Sequence, residues 1–407
     1  MRFIADFHIH SRFSRATSKE ITLINLAKWA KIKGVNVLGT GDFTHPLWFK
    51  ELKNGLEPAE PGLYRLKSKT NKSSDDVSFI LTSEISCIYS KGGKVRKVHL
   101  IVFAPSIEDV EKINTRLERI GNIKSDGRPI LGIDAKELLK IILETSPNSF
   151  VVPAHIWTPW FAIFGSKSGF DSIEECFEDY AKYIFALETG LSSDPKMNWR
   201  LSSLDKLSLI SNSDLHSLKK MGREANVFEG KSISYQKIAQ GLKKIGKDLK
   251  LVYTIEFFPE EGKYHYDGHR ACGISFFPIQ TKRTGGICPV CGKPLTIGVL
   301  NRIEELADRP EGQMPTKAIP FKSLVPLEEI IAEVFGVLPG GKKVEKEYMD
   351  LIDKLGNEFN ILIEASEKDL MTATMPKIAE GILRVRERKV IIEPGYDGVY
   401  GKVKIFN

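Results

Sequence analysis

Seven short apolar runs in the first 216 residues are each punctuated by a histidine or an acidic residue. Arg2–Phe7 leads into His8 and His10, Val35–Thr40 into Asp42, and Phe79–Ser83 into Glu84. Val98–Phe103 carries His99. Phe150–Ala154 runs into His155, Tyr183–Leu187 into Glu188, and Leu207–Ser213 into Asp214 and His216. Helical periodicity fills the gaps, over Ile21–Lys33 (with Thr17 and Ser18 as caps), 107–120, 134–144 and a basic helix Tyr235–Lys247. Alternating strands and helices imply a parallel sheet or barrel. In a βα barrel the C-terminal strand ends converge on one face. The nine residues His8, His10, Asp42, Glu84, His99, His155, Glu188, Asp214 and His216 are therefore expected to point into one bowl. Residues i and i+2 of a strand share a side, so His8 and His10 face one spot.

Four carboxylates and five imidazoles cannot crowd together bare, because desolvating such groups costs several kcal/mol each. Bound cations remove that cost. Mixed imidazole and carboxylate donors suit zinc, manganese or iron. The donors outnumber one ion's needs, so two or three divalent metals are expected, zinc first, with magnesium or manganese as alternatives. Paired ions clamp the attacking and leaving oxygens of a displacement at phosphorus and activate water near neutral pH.

A second metal motif follows. The spacing His269-x2-Cys272-x15-Cys288-x2-Cys291 matches a closed tetrahedral zinc site that folds its segment. His265 is an alternative to His269 that fits the spacing less well. Cys87 and Cys176 are left as small buried residues. So few cysteines, used in this way, predict a reducing, cytoplasmic location. No leader is visible before the first strand, and no apolar run reaches membrane length. Beyond the zinc motif, 326–336, 343–356 and 366–388 read as helices, and the tail as a hairpin around Gly395–Gly401. The Lys/Ser-rich stretch 53–78 reads as an exposed insertion. Three domains result: a catalytic unit over 1–250, a zinc module over 251–305 and a helical unit with a terminal hairpin over 306–407.

The ordered series His8-x-His10, Gly41-Asp42, Ser83-Glu84, His99, Ala154-His155, Glu188 and Ser213-Asp214-x-His216 resembles the PHP (polymerase and histidinol phosphatase) superfamily over residues 1–235. That resemblance implies a distorted (β/α)7 barrel that hydrolyses phosphoesters. It implies one metal held by His8, His10, Glu84 and Asp214. A neighbouring metal falls to Glu84, His99 and His155, with Glu84 bridging. The chain departs from the pattern at Ser11–Thr17, where some members carry a further ligand. The third metal then rests on Asp42, His216 and water, with His45 as a substitute. Asp194, on the loop after Glu188, is either a ligand or acid–base group beside Glu84 and Asp214, or the cap of a helix begun by Pro195.

A barrel of this type, a His-Cys-Cys-Cys module and helices ending in Gly395-Tyr-Asp-Gly-Val-Tyr-Gly-Lys-Val-Lys-Ile-Phe406 are together similar to the endonuclease Q family. Its members are archaeal, occasionally bacterial, repair nucleases. The resemblance implies incision 5′ to uracil, hypoxanthine, xanthine or an abasic site in double- or single-stranded DNA, by a metal-activated hydroxide. It also implies the sliding clamp as a partner, through a tail beyond the terminal hairpin.

The charge of +7 fits a polyanionic substrate, since residues 1–250 carry the whole basic excess. Lys219, Lys220 and Arg223 follow the Asp214–His216 pair and are placed to grip phosphates. Trp157 and Trp160 lie in the aromatic stretch after His155 and are candidates to wedge a duplex or stack on an extruded base. Two other readings of the same residues are a small-molecule phosphatase of the histidinol-phosphate type and a non-catalytic DNA-binding scaffold. The first leaves the zinc module unexplained. The second leaves the full donor set unexplained.

Overall fold

The computed structural model describes residues 1–67 and 77–407. Seven strands form a ring: β1 (Arg2–Asp6), β2 (Val37–Gly39), β3 (Ser78–Lys91), β4 (Lys94–Ala104), β5 (Phe150–Pro153), β6 (Ala186–Glu188) and β7 (Ser208–Ile210). β1, β2 and β3 run parallel. β3 and β4 are an antiparallel hairpin, and β4 pairs antiparallel with β5. β6 and β7 are parallel. The parallel order expected from alternating strands and helices is interrupted at β3–β4. Gly92 and Gly93 are the reason: both have positive φ, the two-residue turn that a right-twisted hairpin needs.

Side chains and single bonds complete the ring. Ile156 N donates to Glu188 O (3.1 Å), joining the end of β5 to β6. Between β7 and β1, Phe7 N donates to Asn212 Oδ1 (2.8 Å) and His10 N to Leu215 O (3.0 Å). Asn226 Nδ2 donates to Ser211 O and Asn212 Oδ1, taking the place of a backbone rung. Past the ring, β8 (Ala225–Gly230) and β9 (Leu249–Glu256) extend the sheet antiparallel from β1. β10 (Phe321–Ser323) then pairs parallel with β9, so the sheet crosses the expected boundary at residue 250.

The ring is a packed body. Phe3, Ala5 and Phe7 alternate inward from β1 and meet Phe103, Phe150 and Phe228. Phe103 stacks on Phe150 (4.3 Å) and meets Phe7 edge-on (5.6 Å). This aromatic cluster fills the interior of the ring.

Helices cover the outside. Leu23–Lys33 is capped by Thr22, whose hydroxyl accepts from Asn25 N, and not by Thr17 or Ser18. Ile107–Glu118 and Ala135–Thr145 match the periodicity within two residues, while the basic helix stops early, at Leu242. The expected helix 366–388 is two, Glu367–Ala373 and Pro376–Arg386. Met375 precedes a proline and is forced into extended backbone, which breaks the run. The stretch 53–78 is not simply exposed. Leu56–Pro58 and Tyr64–Leu66 pair with each other, and Tyr64 is buried against β3; residues 68–76 lie outside those described. The tail strands Ile391–Glu393 and Lys402–Lys404 form the expected hairpin. Among the described residues no helix is long and apolar enough to cross a membrane.

Candidate metal centre

Glu84 sits on β3 and His99 on β4, diagonal neighbours across the hairpin, where Glu84 faces Ile101 and Ser86 faces His99. The two Glu84 oxygens look in different directions. Oε2 lies 3.3 Å from His10 Nε2 and 3.5 Å from His8 Nε2. Oε1 lies 2.7 Å from His99 Nδ1 and 3.1 Å from His155 Nε2. Asp214 Oδ1 approaches the first pair, at 3.1 Å from His10 Nε2 and 3.7 Å from His8 Nε2. Three overlapping donor groups result: His8–His10–Glu84, Glu84–His99–His155 and His10–Asp214–His216, each with its donor atoms within 4.8 Å of one another.

The backbone turns sharply to present them. Asp42, His155 and Asp214 all have left-handed φ (47°, 29° and 46°), a conformation seldom adopted outside glycine and held here by the surroundings. Gly190, with φ of +63°, packs against the His155 side chain where a Cβ would overlap it.

Hydrogen bonding test the fit to cations. His8 Nε2, His10 Nε2 and Asp214 Oδ1 are buried and make no hydrogen bond. Orphaned buried donors and acceptors are costly. Donor atoms about 2.0–2.1 Å from a tetrahedral ion stand about 3.4 Å apart, close to the separations above. The rings are also pre-turned. His8 Nδ1 is held by Glu188 Oε1 (3.0 Å) and His10 Nδ1 by Asp42 Oδ1 (3.0 Å), which aims both Nε2 atoms at Glu84. Burial opposes charge throughout, yet the neighbouring imidazoles and Arg128 hold Glu84 well below the usual carboxylate range. Burial pushes His99 down to about 4 against the pull of Glu84, whereas Glu188 and Glu84 raise His8, and Asp42 and Asp214 raise His10, against the same burial.

Beside these donors opens a cleft of about 990 Å³. His99, His155 and Arg128 line its floor, and Trp160, Phe161, Phe257, Tyr264 and Tyr400 its walls, with Arg15, Lys220, Arg223 and Lys263 among them. The walls come from both halves of the sequence. Trp160 meets Tyr264 edge-on at 5.8 Å. A second donor cluster stands apart: His269, Cys272, Cys288 and Cys291, with the His269 Nδ1 to Cys291 Sγ distance at 3.6 Å. His265 is outside it.

The MJ0043 C-terminal domain family model matches residues 326–389. The Bacillus subtilis (strain 168) protein YqxK is 30% identical over 99% of both chains. The Methanocaldococcus jannaschii protein MJ0043 is 34% identical over 61% of this chain and 31% of its own length. The crystal structure of the lesion-specific endonuclease PfuEndoQ from Pyrococcus furiosus superposes with a TM-score of 0.87 at 32% identity, covering 99% of this chain and 95% of that one. The chain belongs to the endonuclease Q family. A structure of endonuclease Q with a 27-mer duplex bearing an abasic lesion at its active site superposes with a TM-score of 0.86, also at 32% identity, over 100% of this chain and 97% of that one.

Within this endonuclease Q fold the structure brings together seven of the nine expected ligands. Asp42 and Glu188 stand one layer behind. Asp42 is taken up by His10, Ser11 and Ser14, and Glu188 by His8, Asn212 Nδ2 and His155 N. Asp194 caps the short helix Pro195–Asn198, its Oδ1 accepting from Met197 N (2.9 Å), the cap alternative of the two. Lys219 and Lys220 are paired with Glu328 and Glu329 (2.9 Å each), and Lys220 also lines the cleft. Arg223 lines the cleft while its Nε donates to Ser213 O. Trp157 is core, 1% exposed and bonded to Asn198, whereas Trp160 is 40% exposed at the cleft. Cys87 and Cys176 are buried as expected. Sequence reasoning missed Arg128, Tyr264 and Tyr400. The tyrosines sit in aromatic-rich, glycine-bearing segments, a weak signal; Arg128 sits in a polar loop with no signal at all.

Proposed function

We propose that this chain is a metal-dependent DNA repair endonuclease that hydrolyses the phosphodiester 5′ to abasic sites and deaminated bases (uracil, hypoxanthine, xanthine). The observation that carries it is Glu84, whose two oxygens address two separate imidazole pairs at the floor of a cleft wide enough for an extruded nucleotide. His8, His10, Glu84 and Asp214 would hold one ion, Glu84, His99 and His155 a second, and Asp214 and His216, with water, a third. Zinc fits these donors best, with magnesium or manganese as alternatives. Such ions supply charge neutralisation and water activation at phosphorus. Asp42 and Glu188 fix the rings. Trp160 and Tyr264 offer faces for a base, worth about 1–3 kcal/mol per stacked base. His269, Cys272, Cys288 and Cys291 would hold a zinc that folds residues 251–305. Residues 1–250 would supply the catalysis, and 306–407 the far wall of the cleft. The cytoplasm suits the thiolates.

Labelled duplexes, each with one abasic site, uracil, hypoxanthine or xanthine, test this with zinc, manganese and magnesium in turn. A single nick 5′ to the lesion, abolished by Glu84→Ala or Asp214→Ala while DNA binding survives, is the expected result. Equal cutting of undamaged duplex, or undiminished nicking by either variant, counts against it. Release of phosphate from small monoesters in place of nicking would instead identify a phosphatase.

A further inference from the structure

Arg128 reaches the bridging carboxylate from the cleft side. Its Nη1 donates to Glu84 Oε2 at 3.0 Å. A guanidinium carries five N–H donors in a rigid fork, and the side chain makes no other hydrogen bond among the described residues. It is 28% exposed and lines the cleft beside His99 and His155.

The backbone beneath it is fixed. Arg128 N donates to Asp126 Oδ1 (3.1 Å), Gly127 N to Phe13 O (3.0 Å), and Thr44 Oγ1 to Gly127 O (3.2 Å). Gly127 is pressed so closely on Asp42 and Ser14 that any Cβ would overlap them. A surface arginine has no need of such anchoring. A group that must meet one point in space does.

We propose that Arg128 grips the phosphate to be cut. One N–H steadies Glu84, and the rest of the fork takes the non-bridging oxygens of the phosphodiester. Planar bidentate recognition of phosphate is what a guanidinium does and an ammonium does not. A phosphate in the cleft that His99, His155 and Arg128 line together is within the space this fork faces. The role rests on the reading of the chain as a DNA endonuclease.

The test measures affinity by fluorescence anisotropy with the full-length protein as purified. Two duplexes carry an abasic-site analogue. One has a charged, cut-resistant phosphorothioate at the linkage 5′ to the lesion; the other has a neutral methylphosphonate there. Wild type should bind the charged duplex about tenfold more tightly. Arg128→Met should narrow that difference several-fold, and its salt slope on the charged duplex should fall by about 1. Arg128→Lys should recover part of the difference. Metal content and melting temperature, read alongside, separate loss of the grip from loss of metal or of the fold.

A different pattern overturns the role. If Arg128→Met still distinguishes the two duplexes as wild type does, Arg128 is only a counter-ion for Glu84. If wild type binds neither lesion duplex better than undamaged DNA, the endonuclease reading fails, and this role with it.

Discussion

A carboxylate behind an imidazole decides which ring nitrogen is left free to bind. Asp42 holds His10 Nδ1 at 3.0 Å and accepts from the Ser11 and Ser14 hydroxyls at 2.7 and 2.9 Å, so its own oxygens are spent. Outer partners of this kind are worth about 10–100-fold in metal affinity. Asp42→Ala should therefore lose metal from the barrel site by about that factor while keeping the fold, as read by metal titration and circular dichroism. An unchanged affinity would remove the orienting role. Asp194 behaves differently. Asp194→Asn should cap as well as aspartate does and leave nicking intact, and Asp194→Ala should cost about 1 kcal/mol of stability without touching the chemistry. Residue type was legible in the chain: His8, His10, Glu84, His99, His155, Asp214 and His216 were recognisable because imidazoles and carboxylates at strand ends have few other uses. Their order around the centre was not. A sequence shows that Asp42 follows a strand; it does not show which atom of His10 the carboxylate meets. Arg128 was invisible for the same reason, since its partner Glu84 is 44 residues away.

Elements were readable where the signal is local. The helix Lys342–Leu355, the terminal hairpin and the four zinc donors all stand where spacing placed them. The reversal at β3–β4 was lost because two apolar runs look alike in either direction. The turn that reverses them, Gly92-Gly93, was its one sign. The reversal matters for the site: in an antiparallel β4 a mid-strand donor, His99, arrives beside Glu84, midway along β3, at the same rim as donors after the ends of β1 and β5. The zinc module is the most self-contained element. Its segment has few buried apolar residues, so metal binding is a large part of its folding energy. Cys288→Ala should lower bound zinc by one equivalent and open residues around 263–297 to protease, while the barrel donors keep their metal. A protease pattern and zinc content equal to wild type would show that the module folds without the ion.

The cleft exists only because the two halves of the chain are locked together. Lys33, from the first helix of the ring, makes a buried ion pair with Glu358 (2.5 Å), which also accepts from Tyr348 and Leu327 N. Breaking one side of such a pair strands a charge, at a cost of about 3–5 kcal/mol. Arg302 ties the helix Val299–Leu306 to Phe164 O and Phe170 O, on the loop that carries Trp160. A second buried group makes stability depend on pH. Glu256, at the end of β9, accepts from Thr254, Thr189 and Ser211 (2.5, 3.0 and 3.1 Å) and is fully buried. Burial outweighs those bonds and pushes it up to about 8 from an ordinary 4.5; Glu224, whose Oε2 has no partner, is pushed the same way by burial and by Glu256. The folded protein thus keeps a proton that the unfolded chain releases above pH 4.5. The stability this gives is complete below pH 4.5 and lost as pH rises to about 8, on the order of 1.4 kcal/mol for each pKa unit. Glu256→Gln holds the neutral form at every pH. Its melting temperature should equal that of wild type near pH 4.5 and exceed it at pH 8, with a flatter profile between. A parallel pair of curves would mean that Glu256 is ionised in its place, and that the hydroxyls around it outweigh the loss of water.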